Sequence, residues 1–544
     1  MPVPAISKWL LALSATVFTP FAAQAQSDTG SIERTIPKFE IRQTEKQARV
    51  AAPATSPDAG ARIAGTFVLG AVNIEGATVF GSDELAKSFE PYLASQVGPA
   101  ELDKIMASLT DRYRSAGYLL SYATLPEQSV QSGIVRVRIV EGYVDEVVVD
   151  GGGRSAAQAK TIADRLRSDR PLRSSTLERT LGLIRDIPGL IVSDVQISRS
   201  PRDSTRHKLT LILKSDRVRG FGYMDNRGTI DGARMRGYSS VSLASLAEPG
   251  DQLQLDLFTI PSDNFRFFYG QAKATIPIGP DGLRFSLSAS RGDQFQRLPG
   301  PNQHGKSRQM IADLAFPFAK SRVFSAAGHF SIGDWNSEEK RAGLRIQHDR
   351  LQVARAWVEF SKAAKTRIDG RIGISQGLDL DSATERDDPL GSRPFGSGKF
   401  TKFNADVHIA TAFSERVFAR LDTSAQYSTK ALLAPEEYAL GGGRIGRAFD
   451  FNELTGDHGI GAMAEISYRT GPKSLELLAF VDGGGAFRKR PSPGFPDDQW
   501  LASAGVGARF SVGGLLWAGE VGVPVARSNV DRGVRAFFSV TKAF

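Results

Sequence analysis

The residues best suited to specific chemistry are an arginine and a carboxylate in the last fifth of the chain. Arg447 lies in a glycine-rich loop, residues 441–449, and Asp482 is the lone acid of a strand-like segment, residues 479–484. A guanidinium is a planar fork of N–H donors that can pair bidentately with a carboxylate. Stretches of alternating apolar and polar residues surround both, and the chain stops on Phe544. Together these features are typical of a β-barrel in a bacterial outer membrane.

The sequence favours a structural role for this arginine and this carboxylate over a catalytic one. The chain has no Cys, which excludes disulfides, thiolate metal sites and Cys nucleophiles. The glycine run at residues 441–443 is not followed by a helical pattern, so it does not predict a nucleotide site. The six histidines are far apart and lack paired-ligand spacing; they are His207, His304, His329, His348, His408 and His458. We therefore expect no enzyme activity, no cofactor and no metal.

The N-terminus predicts export. Lys8 precedes an apolar run, residues 9–21, and residues 23–25 (Ala-Gln-Ala) have the small-x-small pattern of a signal-peptidase site. We predict a signal peptide over residues 1–25. The run is shorter than the ~20 residues of a membrane helix, and an N-terminal anchor is the alternative interpretation. No later run is long and apolar enough for a spanning helix, so the exported chain is periplasmic, secreted or a barrel.

Next come a linker and two repeats of one secondary-structure order. Residues 26–65 are polar and dotted with prolines, which predicts a linker, either with a short helix around residues 41–50 or without structure. Residues 66–143 and residues 144–216 each predict the order β-α-α-β-β from the spacing of their apolar residues. This order indicates two small α+β domains with helices on one face of a sheet.

Residues 217–544 alternate in short runs without a helical period. In residues 283–290, for example, Leu, Phe, Leu and Ala alternate with Arg and Ser. A soluble sandwich would bury the apolar face, whereas a membrane barrel turns it towards lipid. About 330 residues at ~20 per strand and turn give roughly 16 strands, a normal barrel size. Phe538 and Phe544 share one face of the last run, as expected of a barrel C-terminal signal. We predict a transmembrane β-barrel of about 16 antiparallel strands preceded by the two small α+β domains.

At this point the chain resembles a known family, the outer-membrane transporters of two-partner secretion of the filamentous-haemagglutinin and haemolysin type. The segment 117–128 and the strand ending in Val-Glu-Gly match the motif of that family's first periplasmic POTRA domain. The matching residues are Gly117, Tyr118, Leu125, Pro126, Gln128, Glu141 and Gly142. The resemblance covers residues 66–544. It implies two POTRA domains, residues 66–143 and 144–216, ahead of a 16-stranded barrel over residues 217–544.

Barrel motifs of the family also have counterparts. At the start of the barrel, residues 225–228 (Asp-Asn-Arg-Gly) resemble the family's Asp-Asn-x-Gly turn, and residues 246–251 resemble the loop before the third strand. The Val-Arg-Gly-Tyr motif of an inward loop corresponds to residues 446–449, although Gly446 and Ala448 replace its Val and Gly. The Phe-x-Asp-x-Gly motif of a wall strand corresponds to residues 480–484.

The resemblance implies a role for these two motifs. In the family, the loop arginine meets the aspartate of the inner barrel wall. A tether of this kind would comprise Arg447 and Phe449 in the loop and Phe480, Asp482 and Gly484 in the wall. The alternative interpretation is a solvated surface arginine and a turn aspartate.

The function implied is transport of an unfolded exoprotein across the bacterial outer membrane, with the POTRA domains in the periplasm and without ATP. Expected partners are a secreted, large, β-helical exoprotein, outer-membrane lipids, the barrel-assembly machinery and periplasmic chaperones. The net charge of +9 is scattered among 59 acidic residues, so we expect no nucleic-acid partner. Alternative functions are an assembly factor for other outer-membrane proteins, a porin or a barrel enzyme. For the POTRA domains, recognition by β-augmentation competes with simple spacing.

Overall fold

A computed structural model describes ten stretches of the chain and divides it into two compact units. The described residues are 29–33, 35–36, 50–51, 65–130, 132–228, 234–380, 382–471, 475–490, 498–526 and 533–544. One unit is Glu45–Asp216, and the other combines Met1–Thr44 with Arg217–Phe544. The signal peptide expected at residues 1–25 lies outside the described residues. Of the helix expected around residues 41–50, only Val50 is described, and it belongs to a strand.

The first α+β repeat forms a three-stranded sheet covered by helices. Its elements are β2 (Phe67–Val68), β3 (Ala71–Glu75), α2 (Ser82–Ala86), β4 (Gln96–Val97), α3 (Pro99–Ser115), β5 (Tyr122–Thr124) and β6 (Ile134–Val140). The central strand β6 pairs in parallel with β3 and antiparallel with β5. Helix α3 buries Leu102, Ile105 and Leu109 against this sheet, because these residues recur at helical spacing on one face.

The second repeat has the order β-α-α-β-β, without counterparts of the short strands β2 and β4, and it has a larger core. Its elements are β7 (Tyr143–Gly151), α4 (Ala156–Ala163), α5 (Ser174–Arg185), β8 (Leu190–Arg199) and β9 (Arg206–Ser215). The sheet order is β1-β8-β9-β7, where β1 (Val50–Ala51) comes from the linker and pairs in parallel with β8. Helix α5 buries Leu177, Leu181 and Ile184, which recur at helical spacing on one face.

Beyond Asp216 the regular secondary structure of the described residues is β-strand, apart from one short 3-10 helix at Ala434–Glu436. The strands are β10 (Val218–Asp225), β11 (Arg236–Ala244), β12 (Gln252–Ile260), β13 (Phe265–Ile278), β14 (Leu283–Gln296), β15 (Gln303–Lys320), β16 (Phe324–Arg341), β17 (Leu344–Ala363), β18 (Thr366–Gly377), β19 (Thr401–Ala412), β20 (Val417–Ser428), β21 (Tyr438–Leu440), β22 (Leu454–Gly456), β23 (His458–Arg469), β24 (Glu476–Phe487), β25 (Asp498–Val512), β26 (Leu515–Ala526) and β27 (Arg535–Ala543). The short strands β21 and β22 form a separate hairpin, and the other sixteen close into an antiparallel barrel. The predicted fold class is confirmed.

The barrel closes where its first strand meets its last. Strand β10 pairs with β11 from Val218 to Asp225, but it pairs with β27 only from Phe221 to Asp225. We call this β10–β27 junction the seam, and we call the end of the barrel where β10 begins and β27 ends the terminal end. Because neighbouring strands run antiparallel, the long segments 378–400 and 429–457 emerge at the opposite end.

The barrel wall has one polar and one apolar face, as the alternation predicted. In β24, Phe480 and Asp482 point inward and are buried, whereas Leu477 and Val481 point outward and are exposed. Successive side chains of a strand lie on opposite faces, so this pattern places polar groups in the lumen and an apolar surface outside. Among the described residues, no helix is long and apolar enough to cross a membrane.

A short helix, α1 (Thr29–Glu33), lies inside the lumen. The backbone N–H of Thr29 donates to Glu339 Oε1 at 3.1 Å, and Trp335 Nε1 donates to Glu33 Oε2 at 3.2 Å. Ser307 also donates to the Glu33 carboxylate. A wall glycine makes room for the helix, because a Cβ at Gly305 would lie 2.1 Å from Thr29 Oγ1. The linker therefore places part of itself in the barrel, at a position where no helix was predicted.

Candidate functional site

The loop between β20 and β23 folds back into the lumen. Its hairpin β21–β22 carries an apolar cluster onto the inner wall. The cluster comprises Tyr438, Leu440, Ile445, Phe449 and Leu454 from the loop with Met463, Ala486 and Leu501 from the wall. Phe449 is thus a buried anchor of the loop.

Glycines in the wall allow this close approach. A Cβ at Gly459 would lie 1.8 Å from Tyr438 Cδ1, and one at Gly461 would lie 2.8 Å from Leu440 Cδ2. A Cβ at Gly484, the last residue of the wall motif, would lie 2.8 Å from Leu440 Cδ1. Any larger residue at these three positions would push the hairpin away from β23 and β24. Docking of the hairpin therefore depends on glycines in the wall strands as well as on the residues of the loop.

The loop tip turns on Gly446, whose φ of +82° is unfavourable for residues with a side chain. A Cβ there would lie 2.9 Å from Gly441 Cα. Ala448, in contrast, is not among the residues with positive φ. Its side chain is fully buried, and a Cβ at Gly522 would lie 3.1 Å from the Ala448 Cβ. The Gly446 and Ala448 substitutions in the family motif therefore place the flexible residue before the arginine and a packed methyl group after it.

The Arg447 guanidinium lies between two wall carboxylates and donates hydrogen bonds to both. Its Nη1 donates to Glu465 Oε2 at 2.6 Å, its Nε donates to Glu520 Oε2 at 3.2 Å, and its Nη2 donates to Glu520 Oε1. The guanidinium carbon also lies 3.9 Å from the ring centroid of Phe480, close enough for a cation–π contact. Arg447 is 3% exposed, so these contacts are shielded from bulk solvent and salt.

Asp482 holds the same residue through the backbone. Its Oδ2 accepts the backbone N–H of Arg447 at 3.0 Å, and its Oδ1 accepts the Ser503 hydroxyl at 2.5 Å. Ser503 in turn accepts the backbone N–H of Ala448 at 3.3 Å. The structure brings the predicted residues Arg447, Phe480 and Asp482 together, but the guanidinium pairs with Glu465 and Glu520 in place of the expected side-chain pair with Asp482.

Two further arginines complete the charge network. Arg227 Nη2 donates to Glu520 Oε2 at 2.7 Å, and Arg227 Nη1 donates to the backbone carbonyl of Arg447 at 2.9 Å. Arg509 Nη1 and Nη2 donate to the Glu465 carboxylate at 2.7 and 2.8 Å. Each carboxylate therefore contacts two arginines, which compensates the burial of its charge. We call the set of Arg227, Arg447, Glu465, Arg509 and Glu520 the tip network.

A second group of ion pairs fixes the base of the loop. Arg393 Nη1 lies 2.5 Å from Glu437 Oε1 and 2.8 Å from Asp457 Oδ1. Glu436 lies 2.6 Å from both Arg355 Nη2 and Lys402 Nζ. The loop is thus held at its tip and at its base, each time by charges on the inner wall or on the neighbouring long segment.

The Asp-Asn-Arg-Gly segment at residues 225–228 contacts both the last strand at the seam and the loop tip. The buried Asp225 accepts Arg236 Nε at 2.8 Å and the backbone N–H of Arg227 at 3.0 Å. Asn226 bridges to the last strand, since its Oδ1 accepts the backbone N–H of Phe538 at 2.8 Å and its Nδ2 donates to the Ala536 carbonyl at 3.2 Å. The carboxamide therefore extends the short pairing between β10 and β27.

The C-terminal aromatics lie beside that seam. The backbone N–H and carbonyl of Phe544 both pair with Gly220 at 2.9 Å, and the Phe544 ring fills the place of the missing Gly220 side chain. Phe538 points outward and is exposed. Their predicted role as a recognition signal during barrel assembly stays a prediction.

In the first α+β repeat, the motif residues Gln128 and Glu141 are structural. Gln128 donates to the Arg136 carbonyl and accepts its N–H, both at 2.7 Å, and so continues the ladder of β6 beyond β5. Glu141 accepts the Thr78 N–H at 2.7 Å and the Tyr113 hydroxyl at 2.8 Å. Burial opposes its charge, but these donors prevail and hold the pKa of Glu141 below its ordinary value.

The remaining motif residues support the core and join the two repeats. Tyr118 and Leu125 pack against the first core, and Gln128 Nε2 donates to the Pro126 carbonyl at 3.4 Å. The Gly117 carbonyl accepts the Ser174 N–H at 2.8 Å, and the Gly142 carbonyl accepts the Leu172 N–H at 3.0 Å. A Cβ at Gly142 would lie 2.5 Å from the Leu120 carbonyl oxygen, so that position requires glycine.

Sequence reasoning missed three of the charged groups that hold the tip. Glu465, Arg509 and Glu520 are ordinary members of alternating strands, and the only available signal was a charge on the polar face of a run. We expected neither a nucleophile elbow nor a phosphate loop of the Gly-Lys-Ser/Thr kind, but the sequence contains both spacings. Residues 373–377 read Gly-x-Ser-x-Gly but lie within β18, without the strand-to-helix turn of a nucleophile elbow. Residues 300–307 have phosphate-loop spacing but run into β15, without a following helix.

Two segments of the chain match models of known protein families. Residues 67–142 match the model of the POTRA domain, ShlB-type. Residues 208–510, more than half of the chain, match the model of the haemolysin secretion/activation protein ShlB/FhaC/HecB.

Individual relatives agree at low sequence identity. The heme/hemopexin transporter protein HuxB of Haemophilus influenzae is 23% identical over 60% of this chain, which spans 59% of that relative's length. The structure of CdiB from Escherichia coli superposes with a TM-score of 0.73 at 18% identity, covering 92% of this chain and 94% of CdiB. BamA from Haemophilus ducreyi lacking POTRA domains 1–3 gives 0.51 at 14% identity, covering 88% and 100%. Both structures are likenesses of fold, whereas the match to the family model shows that this chain belongs to the haemolysin secretion/activation protein family ShlB/FhaC/HecB.

Proposed function

We propose that this protein is a bacterial outer-membrane transporter for an unfolded partner exoprotein. The POTRA domains recognise the exoprotein in the periplasm, and the barrel passes it to the cell surface without ATP. The terminal end of the barrel then faces the periplasm, and the long segments 378–400 and 429–457 face the outside. Relatives named as transporters and the match to a secretion family support this proposal.

The observation that carries the proposal is how the lumen is filled. Both filling elements, α1 and the loop between β20 and β23, engage the wall through hydrogen bonds and ion pairs as well as through small apolar clusters. Polar contacts can be exchanged for water or for the backbone of a passing chain, because their net contribution is only ~0.5–3 kcal/mol each. A lumen closed in this way can open without unfolding the wall.

For recognition, the second α+β domain offers a sheet edge. Strand β7 is the last strand in the order β1-β8-β9-β7, and an extended polypeptide can add to such an edge through backbone hydrogen bonds. At the opposite edge, the linker strand β1 already occupies part of β8 in this way. We infer that an unfolded exoprotein binds by the same geometry.

The test is secretion of a partner exoprotein encoded beside this protein's gene. Deletion of residues 65–142 or 143–216 should abolish secretion while the barrel still assembles, as checked by its heat-modifiable migration. Unchanged secretion by either deletion would contradict recognition through these domains. Normal secretion combined with lower levels of other outer-membrane proteins would point to an assembly factor instead.

A further inference from the structure

A groove of about 530 Å³ lies beside the seam, on the outer face of the barrel. In β10, Phe221 and Asp225 are buried on the inner side, Phe221 within the cluster around α1, so Gly222 and Met224 between them point outward. The groove is lined by residues of β10 to β13, β26 and β27. It is therefore shared by the two strands that close the barrel.

The groove exists because small residues stand side by side on this face. Gly222 pairs with Ser239, and the next outward position of β11, Gly237, pairs with Met224. A Cβ at Gly222 would meet no atom within 4 Å, so the space above it is open. Met224, Leu257 and Phe268 are exposed around this floor. The floor and walls are thus apolar, and the volume is within the ~300–1,000 Å³ of small-molecule sites.

One cation stands at the edge of the groove. Lys542 pairs across the seam with Gly222 and on its other side with Leu515. Leu515 is the first residue of β26 after the turn at residues 513–514, so Lys542 lies near the terminal end of the barrel. The Lys542 ammonium makes no ion pair or hydrogen bond with the described part of the chain. A free ammonium beside an apolar groove is complementary to a ligand with an anionic head and a hydrocarbon chain.

We propose that this groove binds an anionic glycerophospholipid of the inner leaflet, with one acyl chain over Gly222 and the phosphate on Lys542. The inference rests on the outer-membrane placement in the proposed function. An acyl chain lying across β10 and β27 packs against both strands at their shortest pairing and so stabilises the seam. Without such a ligand, the outer face at Gly222 and Gly237 would lack packing contacts. These glycines lie at the seam, where β10 and β27 share few backbone pairs.

The test uses the full-length protein in phosphatidylcholine nanodiscs containing a small fraction of phosphatidylglycerol with a photoactivatable acyl chain. Cross-linked peptides are located by mass spectrometry, and unlabelled phosphatidylglycerol or phosphatidylcholine is added as competitor. We expect cross-links to concentrate on β10 and β11 and phosphatidylglycerol to compete better. Replacement of Lys542 by Gln should reduce that preference about fivefold, the effect of one basic residue at an anionic lipid surface.

Two glycine variants separate groove binding from general lipid contact. Gly222→Leu fills the groove and should remove the concentrated cross-links. Gly519→Leu is the matched control, since Gly519, like Gly222, is an outward-facing strand glycine with no atom within 4 Å of an added Cβ, but it does not line the groove. Cross-links spread evenly around the barrel, or unchanged by Gly222→Leu, would overturn the proposal. If Gly222→Leu does not fold, the proposal is tested by comparing the preference for phosphatidylglycerol of the Lys542→Gln variant with that of the unmodified protein.

The readout is independent of secretion. A protein that fails to secrete an exoprotein but shows these cross-links would retain the lipid site and lose only the transport proposal. A cross-link to a second copy at the same residues would identify a dimer interface and overturn the lipid assignment.

Discussion

Replacing Arg447 with alanine should release the loop tip from the barrel wall. The change removes three charge-assisted hydrogen bonds to Glu465 and Glu520 and the contact with the Phe480 ring. It leaves the backbone of residue 447 able to donate to Asp482. The hairpin β21–β22 and the ion pairs at the loop base also remain, so we expect local undocking of the tip and an intact barrel.

The expected loss of docking free energy depends on which arginines remain beside Glu465 and Glu520. Removing one partner of a buried ion pair costs ~3–5 kcal/mol when the other charge is left uncompensated. Here Glu520 keeps Arg227 and Glu465 keeps Arg509, so the penalty should be smaller. A loss of about 2–4 kcal/mol corresponds to a roughly 30- to 700-fold fall in the ratio of docked to undocked tip.

Hydrogen–deuterium exchange measures this ratio directly. The amides of Arg447 and Ala448 donate to Asp482 and Ser503 only when the tip is docked, so their protection reports docking. Arg444→Ala is the matched control, because Arg444 belongs to the same loop but contacts neither Glu465 nor Glu520; it pairs with Asp406 at 3.1 Å and donates to the Thr423 carbonyl at 3.2 Å. Its effect on the exchange of residues 447 and 448 should be small.

The charge-reversed pair Arg447→Asp with Asp482→Arg distinguishes the observed geometry from a direct ion pair. An aspartate at position 447 would face Glu465 and Glu520, so the double variant should be at least as undocked as Arg447→Asp alone. Restoration of amide protection by the double variant would refute the tip network and favour a side-chain pair between residues 447 and 482.

Three further outcomes follow from the structure. The Gly459→Val barrel should assemble but hold its hairpin off the wall, since a Cβ would lie 1.8 Å from Tyr438; exchange of residues 438–456 should rise. Glu33→Ala should release α1 and raise open-channel events by about 100-fold or more, since Glu33 accepts hydrogen bonds from Ser307 and Trp335, and hydrogen bonds to a charged group contribute ~1.5–3 kcal/mol each. Because its folded pKa is lowered, Glu141 should stabilise the fragment 65–216 above the unfolded pKa of about 4.3 and lose that contribution as the pH falls further.

Each of these outcomes has its own control. Gly519→Val adds the same side chain at an open wall position and should leave the loop docked. Conductance unchanged by Glu33→Ala would show that the helix does not limit the channel. In urea unfolding of the fragment 65–216, Glu141→Gln should remove part of the acid sensitivity; an identical pH profile would refute the role assigned to that carboxylate.

The β-topology was readable from the sequence because strand alternation is a local property. Outward and inward residues of β14 could be assigned from the alternation of Leu287 and Ala289 with Ser286 and Ser288, and chain length gave the number of strands. The apolar spacing of Leu102, Ile105 and Leu109 similarly predicted α3 and its buried face. Local patterns did not reveal α1, whose few residues are held mainly by the distant wall residues Glu339 and Trp335.

The sequence by itself determined that Arg447 stands in a glycine-rich loop and that charges line one face of the neighbouring runs. Only the tertiary structure decided which charges meet. Glu465 and Glu520 lie 18 and 73 residues beyond Arg447 and converge on it through the closure and register of the barrel. Register depends on the pairing of whole strands, and a shift by one residue would turn both carboxylates to the opposite face. For that reason the partner of the arginine could not be read from motif spacing, although the arginine itself could.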